Sequence, residues 1–302
     1  MKRKSVRATL LCLAVVVILA VAAAPAGAVI GGQQDTGNEY SNVGMKLEWD
    51  LWVPGQLGFA GSCTLIKNDA DGVVAMTAAH ALWPLDAPTL LKTRITFDPL
   101  TDYDWFMTIP TLPDTVKTYG VTAAVLHPGF DVATPYRANS KKSAIGPGRE
   151  DVALMWLDRQ VLLPGTATPV APASIVGLGG LEVSDLKDET FTAVGYGLKD
   201  FLVGSVMSSY AGGRAAATWN GRNYKEVSVL AAGGVSADRF LTLTNSVSAW
   251  DSGGPLFRGD TIVGVHSAVS SGRNASPGYV YRLDTQSAQD FVNHWLGHGP
   301  PE

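Results

Sequence analysis

Cysteine is scarce in this sequence of 302 residues, which contains only two. Cys12 lies in an apolar stretch near the amino terminus, so a chain that loses this stretch would retain Cys63 alone. A single cysteine cannot form an internal disulfide, which excludes the small scaffolds that disulfides hold together. Stability must come from burial instead, and the chain is long enough for a large core. We expect Cys63 to be a small buried hydrophobe.

Charged residues are also few, at 17% of the sequence, and the formal net charge is −4. No segment is basic enough to indicate a nucleic-acid partner, and there is no acidic tail. Histidine occurs only five times, which leaves few candidates for a catalytic base. Glycine is frequent, at 33 residues, and short apolar runs recur between turn residues. This composition favours an all-β fold.

Only one long apolar run is present, from Leu10 to Ala24. Basic residues precede it at positions 2–7, and Ala26-Gly27-Ala28 follows, with small residues where signal peptidase cleaves. The run is shorter than the about 20 residues that a membrane-spanning helix needs. We therefore expect residues 1–28 to be a cleaved signal peptide and the mature protein to be secreted, extracellular and free of the membrane.

The most informative stretch is Ala249-Trp250-Asp251-Ser252-Gly253-Gly254-Pro255-Leu256. A serine between an acid and two glycines indicates a tight loop that displays its hydroxyl. A serine hydroxyl is a weak nucleophile unless a base accepts its proton. The stretch therefore predicts a histidine, and a carboxylate that orients it, elsewhere in the chain.

The predicted histidine is His80, which ends the run Met76-Thr77-Ala78-Ala79-His80. The strand-like segments Gly61–Ile66 and Val73–Thr77 flank a polar turn and predict a hairpin that leads into this histidine. His127 lies in a His-Pro turn and is not the expected base.

The predicted orienting acid is Asp151, which opens the apolar strand Val152–Leu157. A carboxylate placed against such a strand will be buried, which suits a group that fixes the tautomer of an imidazole. Two rival acids are Asp131, which no apolar run follows, and Asp158, which ends the strand on its solvent side.

These three motifs resemble those of the trypsin/chymotrypsin family of secreted serine proteases, here in a bacterial-type form without disulfides. The resemblance implies two six-stranded antiparallel β-barrels, a C-terminal α-helix and an active site between the barrels. It implies a peptide or protein substrate, no metal or other cofactor, and a monomer. The predicted segments are a signal peptide at 1–28, an N-terminal barrel with His80 and Asp151 at 29–160, and a C-terminal barrel with Ser252 at 161–302.

The resemblance also implies supporting roles. The backbone N–H groups of Trp250 and Ser252 would form the oxyanion hole, and Ser267 would support the buried acid. Val29-Ile30-Gly31-Gly32 is similar to the mature N-terminus of the family, so the α-amino group of Val29 would pair with Asp251. Alternatively, the two glycines are only a flexible lead-in.

The sequence departs from the family at Trp250, where relatives almost always have glycine. A non-glycine residue costs roughly 1–2 kcal/mol if φ must be positive there. Trp250 therefore leaves two functions open: a serine endopeptidase, or a catalytically impaired protease-fold binding protein. A more remote alternative is a secreted esterase with the same triad. Ala81 and Ser248 also stand where relatives commonly have cysteine.

The expected specificity pocket contains Ser246, Val247 and His266. Ser246, or Asn245 if the register slips by one, stands where trypsin-like enzymes have aspartate, so cleavage after Arg or Lys is not expected. Glutamate-specific bacterial relatives carry histidine at the position of His266, which leaves acidic and uncharged preferences open.

Two further features complete the sequence-based expectations. Asp98, Asp102 and Asp104 fit no calcium-loop motif and are expected to be solvated turn residues. Residues 288, 291, 292, 295 and 296 form one apolar stripe of a C-terminal helix. Asp284 or Thr285 would cap that helix, and Gly297 would end it.

Overall fold

The computed structural model describes residues 29, 32–49, 57–82, 85, 87–100, 108–109, 114–130, 150–182, 186, 189–197, 221–230, 238–244, 251–269 and 278–301. The predicted signal peptide lies outside these residues. No helix within the described ranges is both long enough and apolar enough to cross a membrane.

Strands make up most of the regular secondary structure in the described residues, as the sequence predicted. In chain order they are β1 (Gln33–Gln34), β2 (Val43–Trp49), β3 (Leu57–Asp69), β4 (Gly72–Thr77), β5 (Thr93–Thr96), β6 (Thr108–Ile109), β7 (Tyr119–Leu126), β8 (Ala153–Leu157), β9 (Ser174–Ile175), β10 (Phe191–Gly195), β11 (Asn223–Val227), β12 (Val229–Leu230), β13 (Phe240–Leu243), β14 (Pro255–Arg258), β15 (Thr261–Val269) and β16 (Gly278–Arg282). The helices are α1 (Ala87–Lys92) and α2 (Gln286–His298).

The first sheet closes into a six-stranded barrel. Its order is β2–β5–β7–β8–β4–β3, and β3 pairs with β2 again, so the sheet has no free edge along this path. β6 adds to β3 outside the ring. Both faces of the strands are buried. Closure encloses one apolar cluster on the inner face, and the outer face belongs to a second cluster shared with the other sheet.

The second sheet follows the order β1–β11–β10–β14–β15–β16–β13–β12, with β9 parallel to β15. Only Ser228 separates β11 from β12, and its carbonyl accepts a hydrogen bond from the N–H of Thr244 at 3.0 Å. Strand β12, at one end of this order, is therefore joined through a single residue to β11, the neighbour of β1 at the other end. The predicted all-β fold with a C-terminal helix is confirmed.

A buried ion pair joins the amino-terminal segment to both sheets. Arg222 is fully buried, and its Nε donates to Asp35 Oδ2 at 2.7 Å. Its Nη1 donates to the carbonyls of Val43 and Phe97 at 2.9 and 3.3 Å. Because a buried charge is costly unless it is paired and hydrogen-bonded, these bonds fix the segment before β2 firmly.

The segment that links the two sheets is attached to the first barrel by Asn68. Its Nδ2 donates to the carbonyls of Val161 and Val170, both at 2.8 Å, and its Oδ1 accepts from the N–H of Val161 at 2.9 Å. One side chain in the β3–β4 hairpin thus satisfies three backbone groups of the linking segment.

The C-terminal helix α2 begins as predicted, because Thr285 Oγ1 accepts from the N–H of Ala288 at 3.2 Å. It ends later than predicted, with Gly299 instead of Gly297 as its C-cap. The resemblance implied packing on the second barrel. The structure shows that α2 also covers the first barrel. The ring centroids of Phe291 and His127 are 4.8 Å apart, and those of Trp295 and Trp156 are 6.1 Å apart.

Candidate active site

His80 and Asp151 are in direct contact. His80 lies in a short 3-10 turn, Ala79–Ala81, directly after β4. Its Nδ1 lies 2.7 Å from Asp151 Oδ2, and its backbone N–H donates to Asp151 Oδ1 at 2.9 Å. The His80 side chain is 19% exposed and that of Asp151 is 4% exposed, so the imidazole remains accessible while the acid is enclosed. Two bonds to one carboxylate fix both the backbone and the ring of His80.

Asp151 stands immediately before β8, as the sequence predicted. Burial raises the pKa of this carboxyl, but the charge of His80 and hydrogen bonds from His80 and Ser267 outweigh it and hold the pKa below its ordinary value. Asp151 is therefore ionised at neutral pH. The rival Asp158 lies exposed beyond β8 and pairs with Arg159, and the other rival, Asp131, lies outside the described residues.

Ser267 reaches the same carboxylate from the second sheet. Its hydroxyl donates to Asp151 Oδ2. The pairing of β15 with β16 shifts register between His266 and Ala268, so Ser267 is the extra residue of a β-bulge. Bulges redirect side chains, and this one lets Ser267 point across to the first barrel.

Ser252 lies in a tight turn between Asp251 and β14. The N–H of Gly253 donates to the carbonyl of His266 at 2.8 Å, and the N–H of His266 donates to the carbonyl of Gly254, also at 2.8 Å. The Ser252 carbonyl accepts from the N–H of Ser62 in β3 at 2.8 Å. The serine loop is thus bonded to β15 on one side and to the first barrel on the other.

The serine loop packs against the strand that leads to His80. Gly253 has φ of 88°, and a Cβ placed on it would lie 2.1 Å from both Ser62 O and Thr77 Oγ1 and 3.1 Å from the N of Ala78. Only glycine allows this approach. On the other side, a Cβ on Gly61 would lie 3.0 Å from the Ser252 carbonyl oxygen and 3.6 Å from Ala81 Cβ. The structure therefore places the Ser252 loop beside the turn that carries His80.

Asp251 is fully buried next to the Gly195-Tyr196-Gly197 segment. Its Oδ1 accepts from the N–H of Gly197 at 2.8 Å, and a Cβ on Gly195 would lie 2.2 Å from that oxygen. Val29, the predicted partner of Asp251, is fully buried too, but in the uncleaved chain its nitrogen belongs to a peptide bond. The ion pair between them stays a prediction about the cleaved protein.

His266 is almost fully buried, and its ring packs against Gly254, where a Cβ would lie 3.3 Å from His266 Cδ2. Apart from a contact with the Pro255 backbone, neither ring nitrogen has a hydrogen-bond partner within the described part of the chain. Burial lowers the pKa of His266 to about 3. The ring is therefore neutral at neutral pH and does not supply a resident positive charge.

The depressed pKa of His266 predicts acid sensitivity. We expect the free energy of unfolding to fall by about 1 kcal/mol per pH unit from pH 6.5 to about 3. In this window the unfolded chain binds a proton that folded His266 does not, so stability rises with pH and is complete above 6.5. The lowered pKa of buried His127 acts in the same direction. The lowered pKa of Asp151 adds to the loss of stability only below pH 3.8.

Urea unfolding between about pH 7 and pH 4 measures this dependence. His266→Asn should give a shallower dependence on pH than the native chain, whereas His294→Asn, on the exposed face of α2, should not change it. Equal slopes for His266→Asn and the native chain would contradict the prediction.

Comparisons with known proteins identify the family of this chain. A family model described as Trypsin matches residues 106–292, well over half of the chain. This chain belongs to the trypsin family. The matched range holds Asp151 and Ser252 but begins after His80, so the contact of His80 with Asp151 comes from the structure. No curated protein sequence matches the chain.

Solved structures of the trypsin fold are similar to this chain at low sequence identity. The scabies mite inactivated protease paralogue S-D1 shares 13% identity at a TM-score of 0.60, with 91% of this chain and 100% of that chain covered. Human heparin binding protein shares 15% identity at a TM-score of 0.56, with 91% of this chain and 99% of that chain covered. The scabies mite inactivated protease paralogue S-I1 shares 13% sequence identity at a TM-score of 0.56, with 89% of this chain and 99% of that chain covered. At these identities the similarity shows the fold alone.

Trp250, Ser246 and Val247 lie outside the described residues, so the oxyanion hole and most of the expected specificity pocket of this trypsin-family chain remain sequence-based predictions. Sequence reasoning gave no role to Gly61 or Ser62, which support the Ser252 loop. Glycine inside a strand is itself a signal of close backbone approach, and this signal could have identified Gly61.

Proposed function

We propose that this chain is a secreted serine endopeptidase that hydrolyses peptide bonds through an acyl-enzyme. The observation that carries the proposal is the contact between His80 Nδ1 and Asp151 Oδ2, 2.7 Å long and reinforced by Ser267, beside the Ser252 loop. Membership of the trypsin family supports it. Secretion rests on the sequence of residues 1–28.

In the proposed reaction Ser252 Oγ attacks the carbonyl carbon of a peptide bond and its proton passes to His80 Nε2. Asp151 accepts a hydrogen bond from His80 Nδ1–H, which keeps Nε2 free of a proton and ready to accept one. The protonated ring then gives its proton to the departing amine. A water molecule, activated by His80, releases the acyl group and restores Ser252.

The negative oxygen of the intermediate needs backbone donors. Within the loop, the N–H of Gly253 donates to His266 and that of Gly254 to Asp251, at 2.8 and 2.9 Å. The donors that we propose are the N–H groups of Ser252 and Trp250. The loss of one such donor costs about 10²–10³ in rate, so the loop conformation at Trp250 bears directly on the level of activity.

The experiment that tests the proposal is the intact mass of the secreted protein before and after treatment with a fluorophosphonate, which reacts with activated serines. We expect a single adduct on the native chain and none on Ser252→Ala. The same spectrum reports whether the chain begins at Val29. A folded protein that begins at Val29 and forms no adduct would overturn the proposal.

A protease-fold binding protein without turnover is the second candidate. Trp250 favours it, and inactivated protease paralogues and a heparin binding protein are among the structures of this fold. The formal net charge of −4 does not favour a polyanionic ligand for this chain. An esterase would also react with a fluorophosphonate, so hydrolysis of ester but not peptide substrates would distinguish it.

For an active enzyme we propose a preference for an uncharged residue before the cleaved bond. Ser246 carries no charge, and the neutral, buried His266 supports this preference over an acidic one at neutral pH. Profiling with a peptide library at neutral and mildly acidic pH would test it, and a dominant preference for glutamate at neutral pH would overturn it.

A further inference from the structure

A buried carboxylate without a role in the proposed reaction lies next to Asp151. Glu150 is 7% exposed, and its two oxygens face different groups of the second sheet. Oε2 accepts a hydrogen bond from the Tyr281 hydroxyl, and Oε1 lies 3.4 Å from Arg239 Nη1. We call these three side chains the Glu150 clamp. A buried carboxylate is costly unless it is paired, so the clamp fixes the backbone of Glu150 relative to the second sheet.

Both partners of Glu150 are themselves held in place. Tyr281 is fully buried in β16, and its ring packs edge-on against Phe240 at a centroid distance of 5.7 Å. The N–H of Arg282 donates to the carbonyl of Arg239 at 2.8 Å, which ties Arg239 to the end of β16. Burial, followed by the neighbouring Glu150, raises the pKa of Tyr281, so its hydroxyl keeps its proton and donates.

The backbone around Glu150 passes this constraint to Asp151. The N–H of Val152 donates to the Glu150 carbonyl at 3.0 Å, and the Val152 carbonyl accepts from the N–H of His127, also at 3.0 Å. A Cβ on Gly129 would lie 2.7 Å from Glu150 Cγ, so the adjacent turn closes tightly over the side chain. Asp151 is enclosed between these bonds and has little freedom to move alone.

Two neighbouring strands of the second sheet therefore hold successive residues of the first barrel. β15 reaches Asp151 through Ser267, and β16 reaches Glu150 through Tyr281. His80 takes its orientation from Asp151, whereas Ser252 belongs to the second sheet. The proposed triad is divided between the two sheets, so its geometry depends on a fixed registration of one against the other.

We infer that Glu150 is a positioning residue, which the Tyr281 hydroxyl and Arg239 hold so that Asp151 orients His80 toward Ser252. This inference rests on the proposed function. The clamp acts through Asp151 and does not touch the substrate. Its loss should therefore lower kcat and leave KM nearly unchanged, because a displacement of about 1 Å in the reacting groups can cost about 10² in rate.

The test uses Tyr281→Phe and Glu150→Ala in the full secreted chain, with Glu150→Gln as the conservative variant. We expect kcat for a peptide substrate to fall about tenfold in Tyr281→Phe and about a hundredfold in Glu150→Ala. Glu150→Gln keeps an oxygen that can accept from Tyr281 and should retain most of the rate. Tyr119→Phe is the matched control, because Tyr119 is a buried tyrosine of the first barrel whose hydroxyl accepts from Leu162 N–H at 3.2 Å.

A second readout separates this inference from the proposed function. The proton shared by His80 Nδ1 and Asp151 should give a low-field NMR line that is present even in Ser252→Ala. We expect Tyr281→Phe and Glu150→Ala to shift or broaden this line, and Tyr119→Phe to leave it unchanged. If the native chain neither hydrolyses a peptide substrate nor forms a fluorophosphonate adduct, the proposed function fails. The NMR line then tests on its own whether the Glu150 clamp positions Asp151 and His80. An unchanged line and unchanged kcat in Tyr281→Phe, with a melting temperature lowered as in Tyr119→Phe, would overturn the inference.

Discussion

Replacement of Asp151 by asparagine is expected to lower kcat by about 10⁴ with little change in KM. The Asp151 carboxylate accepts from three donors: the ring and the backbone N–H of His80, and the Ser267 hydroxyl. An asparagine that keeps its oxygen toward the backbone N–H presents its NH₂ group to the ring. His80 Nδ1 must then accept, its proton moves to Nε2, and Nε2 can no longer take the proton of Ser252.

Asp158→Asn is the matched control for this substitution. Asp158 lies just beyond the other end of β8, exposed and paired with Arg159 at 3.0 Å. The same chemical change there should alter kcat by less than about twofold, since exposed substitutions of this kind have small effects. Steady-state kinetics and the rate of fluorophosphonate labelling should report the same loss for Asp151→Asn. An Asp151→Asn protein with more than about a tenth of the native kcat would contradict the orienting role of this acid.

The local structure around His80, Asp151 and Ser252 could be predicted because each lies in a short sequence pattern. The hairpin before His80 corresponds to β3 and β4, and the apolar strand after Asp151 corresponds to β8. The two glycines after Ser252 signalled a tight loop, and the structure gives the reason at Gly253, which packs against Ser62 and Thr77. Backbone conformation and burial leave a local trace in the sequence, so these features could be recognised.

The partners of buried charges could not be predicted in the same way. Glu150 meets a tyrosine 131 residues away, and Arg222 meets an aspartate 187 residues away. Nothing in the residues around Glu150 distinguishes it from a solvated acid. Its partner is determined by how the two sheets pack, a property of the whole fold that no local pattern records.

Strand β2 shows a related difficulty. Polar Lys46 and Glu48 alternate with Met45 and Leu47, a pattern typical of a strand with one face in water. Lys46 is instead fully buried, with Glu48 3.7 Å away, and burial lowers its pKa. The barrel encloses the inner face of this strand and the second sheet covers the other face, so an alternating pattern does not identify an exposed face. Closure depends on pairing between β2 and β3, which the alternation alone does not indicate.

The substitution Gly253→Ala is expected to destabilise the chain strongly and to displace the Ser252 loop. The new Cβ would lie 2.1 Å from both Ser62 O and Thr77 Oγ1, in a residue whose φ is 88°. Backbone strain and overpacking together should lower the free energy of unfolding by roughly 4 kcal/mol. The loop that carries Ser252 must move away from the first barrel, so kcat should fall by at least about 10² in any protein that still folds.

Gly259→Ala separates the contribution of the backbone from that of packing. Gly259 also has positive φ, at 57°, but no atom lies within 4 Å of a Cβ placed there. This variant should lose only about 1 kcal/mol of stability and none of its activity. Urea unfolding of the two variants therefore measures the packing of the Ser252 loop against the barrel.

A double-mutant cycle with Thr77→Ala identifies the contact itself. Thr77→Ala alone loses the hydrogen bond from Thr77 Oγ1 to the Ser62 carbonyl, 2.8 Å long, and should destabilise the chain. In the presence of Gly253→Ala it also removes one of the two clashing atoms, so the double variant should be more stable than the sum of the single effects predicts. Additive effects, or a Gly253→Ala protein as stable as Gly259→Ala, would mean that the Ser252 loop does not rest on the strand leading to His80. The arrangement of the proposed triad would then require a different explanation.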